Sequence, residues 1–239
     1  FQKLARKSVK DGVQKLIYVC EFQGWEALLL RHFRSSGIKT IGYCHSTVRL
    51  LDMRGYLPKS KFSSPIISER PDYLAVHSTR DRELLMQRQG KSKVAMVESA
   101  RYGLLTSETD VPTSDSVGKV LVVGGYSSAQ TGYLLSVCDE LVQQVAHHLS
   151  FSFLSHPNVT KFPKNFPTIV RDPNRGFSSL ISDFSVAVVA PETSGAMEAF
   201  LAGLPVIIVT DPRRLVASPV FGLDGVQIVS TASELGESL

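Results

Sequence analysis

The sequence predicts an α/β protein with two doubly wound parallel sheets. Short runs rich in Val, Ile and Leu alternate with amphipathic stretches, which is the pattern of parallel strands joined by helices. A polar segment, TSETDVPTSDSVG, interrupts this alternation once and separates two series of runs. The 239 residues, of which 43% are hydrophobic, are enough for two modest cores. We therefore expect domains at 1–105 and 119–239, joined by a linker at 106–118.

The first series predicts four strands and two helices. The strands are expected at Leu16–Cys20, Lys39–Tyr43, Tyr73–His77 and Val94–Val97, and the helices at Trp25–Ser35 and Thr79–Gln89. Gly37 and Gly90 mark the ends of the two helices. The chain starts at Phe1, without a methionine, in a basic helical segment. We therefore expect that the first domain is truncated in this sequence.

The second series predicts about six strands. The strands are expected at Lys119–Val123, Phe151–Leu154, Thr168–Val170, Val186–Val189, Val206–Val209 and Val226–Val229, and the helices at Thr131–His147, Phe177–Phe184 and Ser194–Ala202. Every unusual polar or glycine-rich segment in this half follows a strand. A doubly wound sheet binds its ligand beyond the carboxyl ends of its strands, so these segments are the candidate site.

Composition excludes several classes of function. A formal net charge of +4 suits anionic ligands but is far from a nucleic-acid-binding footprint. The three cysteines have no CxxC spacing, which indicates neither a zinc site nor a disulfide framework and favours a reducing compartment. No apolar run approaches the roughly 20 residues that span a bilayer. We expect a soluble, cytoplasmic protein without a metal site.

Three segments of the second half have the composition of a phosphate site. Pro191-Glu192-Thr193-Ser194-Gly195 ends an apolar strand and begins a helix, so Thr193 and Ser194 either cap the helix or bind a phosphate there. Gly195 leaves room for a ligand. The His156-Pro157 pair follows another strand. At that position the imidazole either donates a hydrogen bond to a phosphate or has a structural role. Gly124-Gly125 follows the first strand and could cradle a diphosphate, although it lacks the GxGxxG pattern of dinucleotide sites.

The His-Pro and Thr-Ser pairs, in this order, resemble the nucleotide-binding half of GT-B glycosyltransferases, particularly the bacterial sialyltransferases and Kdo transferases that use CMP-sugars. The segments CEFQGWEALLLRHFRSSG and IGYCHSTVRLLDMRGY are similar to those of bacterial surface-polysaccharide proteins. The resemblance covers most of the chain. It implies two Rossmann-like domains that face each other across a cleft. It also implies metal-independent sugar transfer from a nucleotide-sugar, with no further cofactor, to a glycan or lipid-linked glycan.

The resemblance also implies roles for individual residues. His156, Thr193 and Ser194 match the groups that contact the donor phosphate. Glu198 lies one helical turn after Ser194, so it either reaches donor sugar or ribose hydroxyls or is a solvated helix residue. The Asp/Glu-Asp/Glu-Gly pattern that carries the sialyltransferase base is not found in this sequence. Glu21 and His45 each follow a predicted strand, so Glu21 is our first candidate for the base and His45 the second.

Other functions remain open from the sequence. An enzyme of the same fold, such as a nucleotide-sugar epimerase or a polyol-phosphate transferase, would use the same phosphate site. A non-catalytic nucleotide- or glycan-binding protein is the other alternative. The basic segment FQKLARKSVK and the Lys59–Lys61 loop either attach the protein peripherally to an anionic inner membrane or are scattered solvated lysines.

Overall fold

The computed structural model describes residues 1–52, 69–88, 93–103, 117–145, 148–156, 162–169 and 180–239. These residues divide into two compact units. The first unit comprises Phe1–Val48 and Asp52–Arg101, and the second comprises Arg49–Leu51 and Tyr102–Leu239. Most of the predicted linker, residues 106–116, lies outside the described residues, so the domain limits stay a prediction.

The first unit is a parallel sheet with helices. Its elements, in chain order, are α1 (Gln2–Lys10), β1 (Lys15–Val19), α2 (Gly24–Ser35), β2 (Lys39–Tyr43), β3 (Tyr73–Val76), α3 (Thr79–Arg88) and β4 (Lys93–Met96). The four strands pair in the order β1-β2-β3-β4, every pair parallel. The core packs the apolar face of α2, through Leu30 and Phe33, against Leu74 and against Leu85 of α3.

The second unit is a six-stranded parallel sheet. Its elements are β5 (Lys119–Val123), α4 (Ser128–Val145), β6 (Ser150–Leu154), β7 (Thr168–Ile169), β8 (Val186–Val189), α5 (Gly195–Leu201), β9 (Val206–Val209), β10 (Val226–Val229) and α6 (Ala232–Ser238). The strand order is β10-β9-β8-β5-β6-β7. Both faces of the sheet are covered, one by a cluster that includes α4 and α6 and the other by a cluster that includes α5.

The reversal of strand order in the second unit places the candidate site. β5 pairs with β6 on one side and with β8 on the other, and all three run parallel. The connections that leave β5 and β8 therefore depart from neighbouring strands at the same edge of the sheet. This is the switch point at which open α/β sheets bind ligands.

The predicted fold class is confirmed: the chain is α/β, with two parallel sheets that match GT-B-like Rossmann domains. The predicted limits of β2, β5, β8, β9 and β10 agree with the structure residue for residue. The helix expected at Thr131–His147 begins three residues earlier, at Ser128, because the Ser127 hydroxyl accepts the N–H of Gln130 and so starts the helix there. Residues 177–179 of the predicted helix Phe177–Phe184, and Val170, lie outside the described residues.

Candidate functional site

Glu21 and His45, the two candidates for the base, lie together in the first unit. They follow β1 and β2, which are neighbouring parallel strands, so both side chains leave the same edge of the sheet. His45 Nε2 lies 3.7 Å from Glu21 Oε1, and the two side chains are 37% and 48% exposed. This distance is an ion-pair distance and is too long for a good hydrogen bond. The two candidates thus form one carboxylate–imidazole pair.

A buried carboxylate fixes the loop that carries Glu21. Glu26 is only 3% exposed, and its Oε1 accepts the backbone N–H groups of Glu21, at 2.8 Å, and of Gln23, at 3.1 Å. Between them Phe22 has a φ of 57°, which is uncommon for a bulky side chain. Backbone strain of this kind persists only where the surroundings hold it. Glu26 therefore supports the conformation in which Glu21 leaves β1.

A second buried carboxylate holds the segment that follows His45. Asp81, in the first turn of α3, is 2% exposed, and its Oδ1 accepts the backbone N–H of Val48 at 3.0 Å. Its own N–H donates to Ser78 Oγ. Burial raises the pKa of Asp81 to about 6, and the bonds from Val48 and Ser78 oppose that rise. This carboxyl group is thus poorly solvated when ionised.

The space beside Glu21 is small. A cavity of about 50 Å³ is lined by Cys20, Glu21, Phe22, Cys44, Ser46, Thr47, Val48 and Asp52. This volume has room for ordered water beside the Glu21 carboxylate. His77 follows β3 at the same sheet edge, and burial is the main cause that lowers its pKa. A neutral imidazole here was not anticipated, because the sequence shows only a histidine at the end of an apolar run.

In the second unit, the glycine pair after β5 is closely packed. A Cβ on Gly124 would lie 3.1 Å from the Phe153 ring, and a Cβ on Gly125 would lie 2.7 Å from Glu192 Oε1. Thr131 Oγ1 accepts the Gly125 N–H at 3.0 Å and closes the loop. We expected these glycines to admit a phosphate. The structure shows that both glycines lie close to neighbouring side chains, and their phosphate role stays a prediction.

Glu192 links the loops that follow β5 and β8. Its Oε1 accepts the backbone N–H of Ser127 at 2.8 Å. Among the described residues, Oε2 is buried and has no hydrogen-bond partner. Its backbone carbonyl accepts a hydrogen bond from Arg49 Nη2 at 2.9 Å, within the second unit. The sequence shows Glu192 only as one residue of a turn, and nothing in its spacing marks the bond to Ser127.

The expected helix cap after β8 comes from Thr193 and not from Ser194. Thr193 is 6% exposed, and its Oγ1 accepts the Gly195 N–H at 3.3 Å, whereas the Ser194 side chain makes no capping bond. The backbone N–H groups of Thr193, Gly195 and Ala196 donate within the turn, over 3.3–3.4 Å. These bonds are long, so a bound anion could compete with them.

The remaining predicted donor residues follow β6 or lie on α5. His156 packs edge-on against the exposed Tyr126, with ring centroids 5.7 Å apart, which places it beside the loop after β5. Pro157 lies outside the described residues. Glu198 is half-buried on α5, while its helix neighbours Ala196 and Ala199 are fully buried against the sheet. The described geometry thus brings His156 to the switch point and leaves the Pro157 prediction open.

The described residues hold neither a candidate metal cluster nor a candidate membrane span. They contain no group of three or more His, Cys, Asp and Glu side chains that could hold a metal ion. None of their helices combines the length and the apolar character that crossing a membrane requires.

The two parallel-sheet units and the switch point define the class of fold, which is GT-B-like. Solved structures of this fold are similar over nearly the whole chain. UDP-GlcNAc 2-epimerase from Neisseria meningitidis, bound to UDP-GlcNAc, aligns with a TM-score of 0.64 at 13% identity, over 99% of this chain and 70% of that one. S. aureus MnaA with UDP aligns with a TM-score of 0.63 at 10% identity, over 99% and 68%.

A glycotransferase of kitacinnamycin is also similar, with a TM-score of 0.59 at 13% identity, over 98% of this chain and 68% of that one. At these identities the likeness shows the fold. The chain spans 50% to 72% of the length of the first five such structures. No protein-family model and no curated protein matches the sequence.

Proposed function

We propose that this chain is part of a nucleotide-sugar glycosyltransferase that moves a sugar from a CMP-linked donor to a glycan or lipid-linked glycan in bacterial surface-carbohydrate assembly. The observation that carries the proposal is the switch point between β5 and β8, with polar loops on both strands. Support comes from solved structures of this fold whose names include a glycotransferase and proteins bound to UDP or UDP-GlcNAc. The ligands in those names are UDP and UDP-GlcNAc. The assignment of a CMP-linked donor therefore rests on the resemblance of the His-Pro and Thr-Ser pairs.

The second unit binds the donor in this proposal. His156, Thr193 and Ser194 contact the phosphate, Gly195 and the Gly124-Gly125 loop shape the crevice, and Glu198 accepts hydrogen bonds from sugar or ribose hydroxyls. Arg49 lies at the Glu192 carbonyl in the same unit and supplies a positive charge beside this turn. Donors placed where negative charge develops on the departing nucleotide lower the barrier to sugar transfer.

The first unit supplies the base. Glu21 is about half exposed, so its carboxylate can take the proton from an acceptor hydroxyl as that hydroxyl attacks the sugar. His45 turns Nε2 towards Glu21, and its Nδ1 is buried without a partner among the described residues. We therefore assign the proton transfer to Glu21 and a positioning role to His45.

Donor binding is tested first, with thermal unfolding in the presence of CMP, CDP, UDP and GDP. A nucleotide at a hundred times its Kd should raise the unfolding free energy by about 2.7 kcal/mol. Thr193→Ala with Ser194→Ala should weaken binding of the preferred nucleotide while the fold is retained. Unchanged affinity in the folded double variant would remove these hydroxyls from the donor site.

The base is tested by Glu21→Gln. Turnover should fall by about 10²–10⁴-fold, the usual scale for general-base catalysis, while nucleotide affinity stays the same. Glu83→Gln, an exposed acid on α3, is the matched control and should leave both unchanged. Full activity in Glu21→Gln would contradict the assignment. Loss of nucleotide binding in that variant would mean that Glu21 belongs to the donor site.

An epimerase is the second candidate, because UDP-GlcNAc 2-epimerases are among the similar structures. Product analysis separates the two: an epimerase converts UDP-GlcNAc without an acceptor, whereas a transferase releases free nucleotide only when an acceptor is present. A polyol-phosphate transferase would instead leave phosphate in its product. Nucleotide binding without any product, unaffected by Glu21→Gln, would favour a binding protein.

We also propose that the acceptor is reached at an anionic membrane surface. α1 carries Lys3, Lys7 and Lys10 with no acidic residue in its first turn, and Phe1 and Leu4 beside them are about half exposed. Attraction to an anionic surface is worth about 1 kcal/mol per basic residue and weakens with salt. The Lys59–Lys61 loop lies outside the described residues. Co-sedimentation with phosphatidylglycerol vesicles at low and high salt tests the proposal, and no binding at either would contradict it.

A further inference from the structure

The carboxylate of Glu192 occupies an anion position at the start of α4. That helix is 18 residues long and has no acidic residue in its first turn. A helix start favours negative charge, because its dipole and its unpaired N–H groups point outward. Here the negative charge comes from another loop, since Glu192 Oε1 accepts the N–H of Ser127, the residue before the helix, at 2.8 Å. Glu192 thus stands where a ligand anion would otherwise bind.

The loop is built around this carboxylate. A Cβ on Gly125 would lie 2.7 Å from Oε1 and 2.8 Å from Cδ of Glu192, so a larger residue there would displace the carboxylate. The second carboxylate oxygen, Oε2, is buried without a hydrogen-bond partner among the described residues. The side chain therefore brings a negative charge to the switch point and uses only one of its oxygens to hold the loop.

We propose that Glu192 is a specificity-determining residue that selects donors with one phosphate group over donors with two. A donor with one phosphate needs one anion position, and the residues assigned to it are His156, Thr193 and Ser194. A second phosphate near α4 would meet the Glu192 carboxylate, and two like charges at one site disfavour each other. This inference rests on the proposed donor site, and it explains how that site could prefer a CMP-linked donor within a fold shared with proteins that bind UDP.

The test compares CMP with CDP by titration calorimetry. The two nucleotides share base and ribose and differ by one phosphate group. Wild-type protein should bind CMP more tightly than CDP. In Glu192→Gln, which keeps an oxygen for the Ser127 N–H and loses the charge, the ratio of the CDP Kd to the CMP Kd should fall about tenfold or more. Glu192→Ala should shift the ratio in the same direction. Glu140→Gln, an exposed acid on α4, removes an equal charge elsewhere and should leave the ratio unchanged.

An unchanged ratio in both Glu192 variants would overturn the proposal, and so would an equal shift in Glu140→Gln. Equal weakening of CMP and CDP would also overturn it, since Glu192 would then shape the loop without selecting the ligand. If wild-type protein binds none of CMP, CDP, UMP and UDP, the proposed function is wrong. Thermal unfolding with inorganic phosphate and pyrophosphate then tests the role of Glu192. Stronger stabilisation by pyrophosphate in Glu192→Gln than in wild type supports selection against a second phosphate, and equal stabilisation overturns it.

Discussion

Replacement of Asp81 by Asn should stabilise the first unit at high pH. Burial raises the pKa of Asp81 from its ordinary 3.8 to about 6. Since the folded state holds this proton more tightly than the unfolded state, the contribution of Asp81 to stability is most favourable below pH 3.8 and is lost as the pH rises to about 6. Above that pH the ionised carboxylate costs about 3 kcal/mol of unfolding free energy. Asparagine keeps an oxygen for the Val48 N–H and carries no charge, so it removes this cost.

The expected gain in Asp81→Asn is therefore about 3 kcal/mol at pH 8 and about half of that at pH 5. The assay is urea unfolding followed by tryptophan fluorescence. Trp25 is the single tryptophan of the chain and lies on α2, so its emission reports on the first unit. Glu83→Gln, exposed on the same helix as Asp81, should change stability by less than about 0.5 kcal/mol at either pH. An equal gain at both pH values, or a loss at pH 8, would refute the argument from burial.

Three further predictions concern stability and thiol reactivity. Gly118→Ala should lower the melting temperature in circular dichroism, because φ is 78° there and the new Cβ would lie 2.8 Å from the His148 carbonyl oxygen; an unchanged melting temperature would contradict this. Thr231→Ala should lower the unfolding free energy by about 1 kcal/mol, because Thr231 Oγ1 caps α6 by accepting the Glu234 N–H. Amide hydrogen exchange in α6 should then be faster than in wild type, and an unchanged exchange rate would contradict the prediction. Thiol reagents should label the native protein only slowly, because Cys20, Cys44 and Cys138 are all buried; a hydrogen bond to Cys20 also raises the pKa of the Cys44 thiol, and burial raises that of Cys138. Rapid labelling of the native protein would disprove this.

The sheets were predictable because their strands are locally encoded. Val186–Val189 and Val206–Val209 are short, fully apolar and bounded by polar or glycine-rich turns, so their limits follow from the sequence alone. The helix α6 was not predicted. It has seven residues and a polar sequence, ASELGES, and its apolar contacts with α4 come from the tertiary fold.

The candidate site was predicted only in part. Strand ends indicate where polar residues gather, which was enough to single out Glu21 and His45. Two of the carboxylates that hold the loops, Glu192 and Asp81, were missed because each binds a backbone N–H of another segment. Glu192 reaches Ser127 across 65 residues of sequence, and Asp81 reaches Val48 across 33. No periodicity or motif in the sequence indicates such a bond, since any backbone N–H can be the donor.

The position of β5 at the centre of the second sheet has a consequence for synthesis on the ribosome. β5 is the first strand of that sheet to emerge, and β6 follows it, but its other neighbour, β8, is made only after β6 and β7. Until then the apolar strand Val120–Val123 has one open edge. Open apolar edges pair readily with other chains, and pairing that is distant in sequence forms slowly. A nascent chain halted between β7 and β8 should therefore aggregate more readily than one that has passed β8.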